Sequence, residues 1–231
     1  MSAEEHKENI HSGHRERLRK RFLQSGLAGF EDHTVLELLL FYAIPRSDTN
    51  GIAHRLIETF GGLDAVFEAS PEALMQVDGI GEKAAVLIRL SAEAARRARL
   101  SKQDPHTVIR TSEDAAAVLI PQFMHLPDES VVLLCLDPKN RVIDAVTLTR
   151  GGPASASVDI RHIAEAAILR KATAVILSHN HPNGSPFPSE EDRETTAAVR
   201  GALAPLGIAL LDHVIVAGEQ YFSLADHDMF A

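Results

Sequence analysis

The sequence predicts a mixed α+β protein in two parts, an all-helical first half and a second half in which helices and strands alternate around a central mixed sheet. Three observations predict it. Before residue 105 no strand pattern is visible and apolar residues recur at helical spacing. After it, short apolar runs at 131–136 and 174–177 read as strands between capped helical patterns. Between the two regimes, residues 100–106 are polar and contain Pro105, as a linker would be. A chain of 231 residues holds one or two domains and buries a core without covalent staples.

Taken in order, residues 1–13 read as a polar arm and 14–25 as a basic helix stopped by Gly26. A helix over 34–42 carries Leu36, Leu38, Leu39, Leu40 and Phe41, apolar almost all round, which predicts burial. Pro45 ends that region, Ser47, Asp48 and Thr49 offer caps, and Ile52, Leu56, Ile57 and Phe60 carry the next helix to Gly61-Gly62. A short helix then enters Gly79-Ile80-Gly81, followed by a longer one with Ala84, Ala85, Leu87, Ile88 and Leu90 as its apolar positions. The helical domain therefore spans 14–100, the linker 101–108, and the second domain 109–231. There, Thr111 and Ser112 cap a helix to Ile120, which Pro121 should end. Strands at 131–136 and 141–149 flank the turn Asp137-Pro138-Lys139-Asn140 as a hairpin. Helix 160–171, a strand into His179, helix 189–203 and a strand 208–216, closing near Tyr221, complete the chain.

Composition narrows the function classes. The net charge of -9 is uneven, about -2 over residues 1–105 and -7 over 106–231. Basic residues gather as Arg15, Arg17, Arg19, Lys20 and Arg21, which fits a solvated helix face as well as a nucleic-acid contact. An acidic chain argues against strong non-specific DNA binding. The single cysteine, Cys135, sits in an apolar run and reads as a buried small hydrophobe, so no intrachain disulfide forms. The polar, acidic start lacks the features of a signal peptide, and the 38–44 apolar stretch is far shorter than the ~20 residues of a membrane span. Cytoplasmic placement without membrane contact is the expectation.

The most informative stretch is 178–192. An apolar strand leads into His179-Asn180-His181, and period-two alternation points both imidazoles to one side. Asp192 follows at the start of a helix. Two imidazoles and a carboxylate form an N2O set that suits zinc with a fourth position open to water. A His-x-His pair is also a common polar strand end, and Ser189-x-x-Asp192 also fits a capping box. The readings are compatible, since a capped helix start presents a carboxylate rigidly.

In the helical half, Gly79-Ile80-Gly81-Glu82-Lys83 resembles the helix-hairpin-helix motif of DNA-repair proteins. The resemblance implies contact with DNA phosphates through Gly79, Gly81 and Lys83, gripping the backbone without reading sequence. An ordinary inter-helix turn is the other reading.

His179-x-His181-x7-Ser189-x2-Asp192 resembles the JAMM signature of MPN-domain metallopeptidases, with Asn180 where many members carry Ser or Thr. The resemblance implies an α/β MPN domain and one zinc ion per chain on His179, His181 and Asp192. It further implies Glu129, just ahead of the 131–136 strand, as general base and Ser189 as an oxyanion contact. With the helix-hairpin-helix half, His-Asn-His-Pro-x-Gly and Leu211-Asp212-His213-Val214-Ile215, nearly the whole chain resembles the bacterial RadC family. Asn183, Ile160 and His162 depart from that family's pattern while Val158 and Arg161 keep it, and the ligands are untouched. His213 is a further polar group that could face the metal, although a histidine following Asp212 in a strand is more often structural. The implied function is hydrolysis of an amide or isopeptide bond in an unknown protein or peptide substrate, in a DNA repair-associated protein. A non-catalytic DNA-binding scaffold and a metal-dependent nuclease are the alternatives.

Overall fold

The computed structural model describes residues 3–102, 104, 107–150, 159–182 and 184–230, with side chains from residue 13 onward except at residue 150. The chain divides into two compact units, 1–95 and 96–231. The expected linker at 101–108 is therefore not where the division falls. The division falls inside the helix Glu82–Leu100, and on its second-unit side the buried Arg96 donates to the Gln122 carbonyl at 3.3 Å.

The first unit is all helical: α1 (Ala3–Ser25), α2 (Asp32–Leu40), α3 (Asn50–Phe60), α4 (Leu63–Glu68), α5 (Pro71–Leu74) and α6 (Glu82–Leu100) up to residue 95. Helix α1 begins at Ala3, so the expected polar arm is helical from residue 3. Its Ala, Glu and Lys residues are good helix formers, and polarity bears on burial more than on helix formation. Leu36, Leu40, Leu56, Val66, Leu74 and Ile88 form the core, as the all-round apolar 34–42 pattern predicts. The carboxylate of Glu37 is buried among them and accepts from Asn50 Nδ2 at 3.0 Å, with His14 Nε2 at 2.9 Å, tying α1, α2 and α3 together. Part of the basic cluster is structural: Arg15 donates to the carbonyls of Ile44, Pro45 and Ser47 at 2.8, 2.7 and 2.6 Å, and lies over Phe41. These carbonyls follow the end of α2, where no helical partner reaches them.

In the second unit, α7 (Ser112–Phe123), β1 (Ser130–Leu136), β2 (Val142–Arg150), α8 (Ile160–Leu169), β3 (Ala174–Asn180), α9 (Glu190–Leu203), a 3-10 turn (Ala204–Leu206), β4 (Ala209–Ala217) and β5 (Gln220–Ser223) follow in order. The strands form one mixed sheet, β2-β1-β3-β4-β5, in which only β3 and β4 run parallel. Helix α7 runs two residues past Pro121, where an end was expected. A proline in the last turn removes one N-H bond, and the buried Phe123 holds the turn to the sheet.

Both strands β1 and β3 are buried along their whole length because helices cover both faces. Val131, Leu133, Cys135, Val175 and Leu177 pack with α8 and α9; Val132, Leu134, Leu136 and Ile176 pack with α7. The Cys135 thiol is buried, and burial pushes its pKa up to about 11. Native protein should show no thiol to a chromogenic disulfide reagent and one per chain after denaturation; rapid native reaction would contradict this packing.

Candidate metal centre

Strand alternation continues past the core residues Val175 and Leu177, so the next odd position, His179, stands on the α8 and α9 side at the exit of β3. His181 follows the strand, and its N-H donates to the Val216 carbonyl at 2.8 Å, keeping the backbone beside β4. Asp192 comes from the first turn of α9. Ser189 and Asp192 form a complete capping box: Ser189 Oγ accepts from the Asp192 N-H at 3.1 Å and Asp192 Oδ2 accepts from the Ser189 N-H at 2.8 Å. That leaves Oδ1 of Asp192 facing His179 Nε2 at 3.2 Å, with His179 Nε2 2.9 Å from His181 Nε2 and His181 Nε2 3.9 Å from Asp192 Oδ2. Among the described residues, this is the group of three whose donor atoms could hold one ion, all within 4.8 Å of one another.

Metal ligands at ~2.0–2.1 Å in a tetrahedron stand about 3.3 Å apart. The 2.9 Å from His179 Nε2 to His181 Nε2 and the 3.2 Å to Asp192 Oδ1 lie close to that value, a spacing that could hold a metal ion, while the 3.9 Å from His181 runs to the other carboxylate oxygen, which the capping box engages. Protonation agrees. Burial lowers the pKa of His179 to about 4, leaving it neutral at pH 7. Burial pushes the Asp192 carboxyl up, but the facing His179 and the Ser189 hydrogen bonds outweigh it and the net shift is downward. A neutral imidazole and an ionised carboxylate are the forms that bind metal.

Glu129 lies immediately ahead of β1 and is partly buried. Val131, two residues after Glu129, pairs with His179 at the end of the antiparallel β1–β3 ladder. Asn180 ties the two segments: its Oδ1 accepts from the Ser130 N-H at 2.7 Å and its Nδ2 donates to the Asp128 carbonyl at 3.3 Å. Ser189 Oγ donates to Asp192 Oδ2 at 2.5 Å, so its hydrogen is engaged within the capping box.

Three residues that sequence reasoning did not single out, or read as structural, surround the ligands: Asn180 in its clamp, His213 and Thr196. His213 Nε2 is 2.9 Å from His179 Nδ1, and Thr196 Oγ1 is 2.6 Å from His213 Nδ1. The available signal for Thr196 is its place four residues after Asp192, one helical turn along the same face. Ile160 and His162 lie in the first turn of α8, His162 exposed; Val158 and Asn183 fall outside the described residues.

Gly79, Gly81 and Lys83 belong to the first unit and are described apart. Gly79 has φ +93°, and a Cβ there would stand 2.8 Å from Ile52 Cδ1, so both conformation and space require glycine. Gly81 immediately precedes α6, its carbonyl accepting from the Ala84 and Ala85 N-H groups, with Lys83 exposed in the first turn.

Residues 109–229 match the family model described as the RadC-like JAB domain. A UPF0758 protein of Rubrobacter xylanophilus is 38% identical over 92% of this chain and 93% of its own length. UPF0758 proteins of Bacillus pumilus and Ruegeria pomeroyi are 34% and 36% identical, over 94% and 88% of this chain and 96% and 91% of theirs.

Proposed function

This chain belongs to the RadC-like JAB domain family, and on that premise we propose that it is a zinc-dependent hydrolase of the JAMM metallopeptidase type, cleaving an amide or isopeptide bond in a protein or peptide. The observation that carries the reading is the grouping of His179, His181 and Asp192: His179 Nε2 stands 2.9 Å from His181 Nε2 and 3.2 Å from Asp192 Oδ1, and ligand atoms of all three lie within 4.8 Å of one another. His179, His181 and Asp192 would hold one zinc per chain. When bound, zinc supplies Lewis acidity toward a water molecule and toward the substrate carbonyl.

The chain's own residues do the rest. Glu129, just ahead of β1, takes a proton from the attacking water and returns it to the leaving nitrogen. Ser189 turns its hydroxyl from Asp192 to the developing oxyanion. In this reading the helical unit, with Gly79, Gly81 and Lys83, grips a DNA backbone, and the protein acts in DNA repair in the cytoplasm. Among the described residues no helix is long and apolar enough to cross a membrane.

Zinc-loaded wild type and Glu129→Gln are to be compared on peptide, isopeptide and DNA substrates. We expect amide hydrolysis by the wild type and a loss of about 10²–10⁴-fold in Glu129→Gln, with zinc content unchanged. Equal turnover by both proteins overturns the role of Glu129. Cleavage of DNA alone identifies a nuclease, and no cleavage of any substrate identifies a non-catalytic scaffold.

A further inference from the structure

The two histidines of the centre are oriented by different means. His181 Nδ1 faces the Ser185 carbonyl at 2.8 Å. A carbonyl only accepts, so Nδ1 carries the hydrogen and Nε2 the lone pair. His179 Nδ1 instead faces another imidazole nitrogen, His213 Nε2, at 2.9 Å, and either atom of that pair can donate.

Thr196 resolves the pair. Its hydroxyl has one hydrogen, which it donates to the Asp192 carbonyl at 2.6 Å, one turn earlier in α9. Toward His213 Nδ1, also at 2.6 Å, the same oxygen must therefore accept. With its hydrogen on Nδ1, neutral His213 has a bare Nε2, which accepts from His179 Nδ1-H. His179 is left with its lone pair on Nε2, the atom that faces His181 and Asp192. Thr196 and His213 are 3% and 1% exposed, so water does not compete for these hydrogens. A threonine bonding the carbonyl four residues back is ordinary in helices. The second bond, to an imidazole that itself reaches a ligand, is what sets this one apart.

We propose that Thr196 and His213 are positioning residues that set the tautomer of His179, turning its Nε2 lone pair toward the metal. Asp192 thereby takes part twice, by its carboxylate in the ligand set and by its backbone carbonyl at the far end of the relay. The proposal rests on the zinc reading above.

The test uses the full chain as wild type, Thr196→Ser and Thr196→Val. Nitrogen-15 shifts report the His179 tautomer in zinc-free protein, and competition with a chromogenic chelator reports zinc affinity. We expect Nδ1-H on His179 in wild type and Thr196→Ser, with similar affinities. Thr196→Val, of the same shape without the hydroxyl, should show mixed tautomers and bind zinc about 10–100-fold more weakly. A hydrogen on His179 Nε2 in the wild type overturns the relay, as does Thr196→Val with unchanged tautomer and affinity. If Thr196→Val does not fold, the tautomer in wild type and Thr196→Ser decides. Wild type with Nδ1-H that binds no zinc leaves the relay standing and removes the zinc reading.

Discussion

Joint replacement of His179 and His181 by alanine is expected to abolish zinc binding while the sheet stays folded. Apparent binding free energies of about 10–16 kcal/mol for four-ligand sites amount to roughly 3–4 kcal/mol per ligand. Losing two of three protein ligands then weakens binding by about 10⁴–10⁶-fold, since 1.4 kcal/mol is tenfold. Both side chains sit at the exit of β3, beyond the core positions Val175 and Leu177, so their truncation leaves the packed part of the strand intact. Elemental analysis after dialysis should give one zinc per wild-type chain and none per variant. Added zinc should raise the melting temperature of the wild type alone, because only a state that binds the ion is stabilised by it. Stoichiometric zinc in the double variant, or a wild type that cannot take up the ion, would remove the centre.

A second large effect is expected from the core. Leu133 is fully buried in β1, paired with Val146 on one side and Leu177 on the other, and packs in the cluster shared with α8 and α9. Leu133→Ala removes three carbons from a site bordered by two strands and two helices, where the backbone has little freedom to close the gap. The expected cost is about 3–5 kcal/mol, a large share of the roughly 5–15 kcal/mol that holds a domain folded. Leu169→Ala, at the exposed end of α8 with 78% of its surface in water, should cost almost nothing. Urea denaturation of the two variants measures the contrast, and a loss below about 1 kcal/mol for Leu133→Ala would be incompatible with this packing.

Local patterns in the chain carried much of this. The alternation that points His179 and His181 to one side, the Ser189-x-x-Asp192 box and the apolar runs of β1 and β3 depend on neighbours a few residues apart, and such relations are written into sequence order. They determined the mixed α+β class, the main strands and the three donor residues that the fold brings together. Short elements escaped. The six-residue α4 and the four-residue β5 are too brief for their periodicity to stand out. The end of α7 and the start of α1 differ for a related reason, since a helix terminus depends on which flanking side chains find packing or caps.

Only the tertiary structure decided which residues stand around the ligands. Thr196 and His213 are 17 positions apart and Asn180 lies 50 from Ser130, so no period relates them. They meet because β1, β3 and β4 are neighbours in one sheet and α9 lies across it. Sequence patterning thus determined which side chains could bind a metal. The long-range packing of the sheet decided how each is held and which nitrogen of His179 faces His181 and Asp192 and which faces the buried His213.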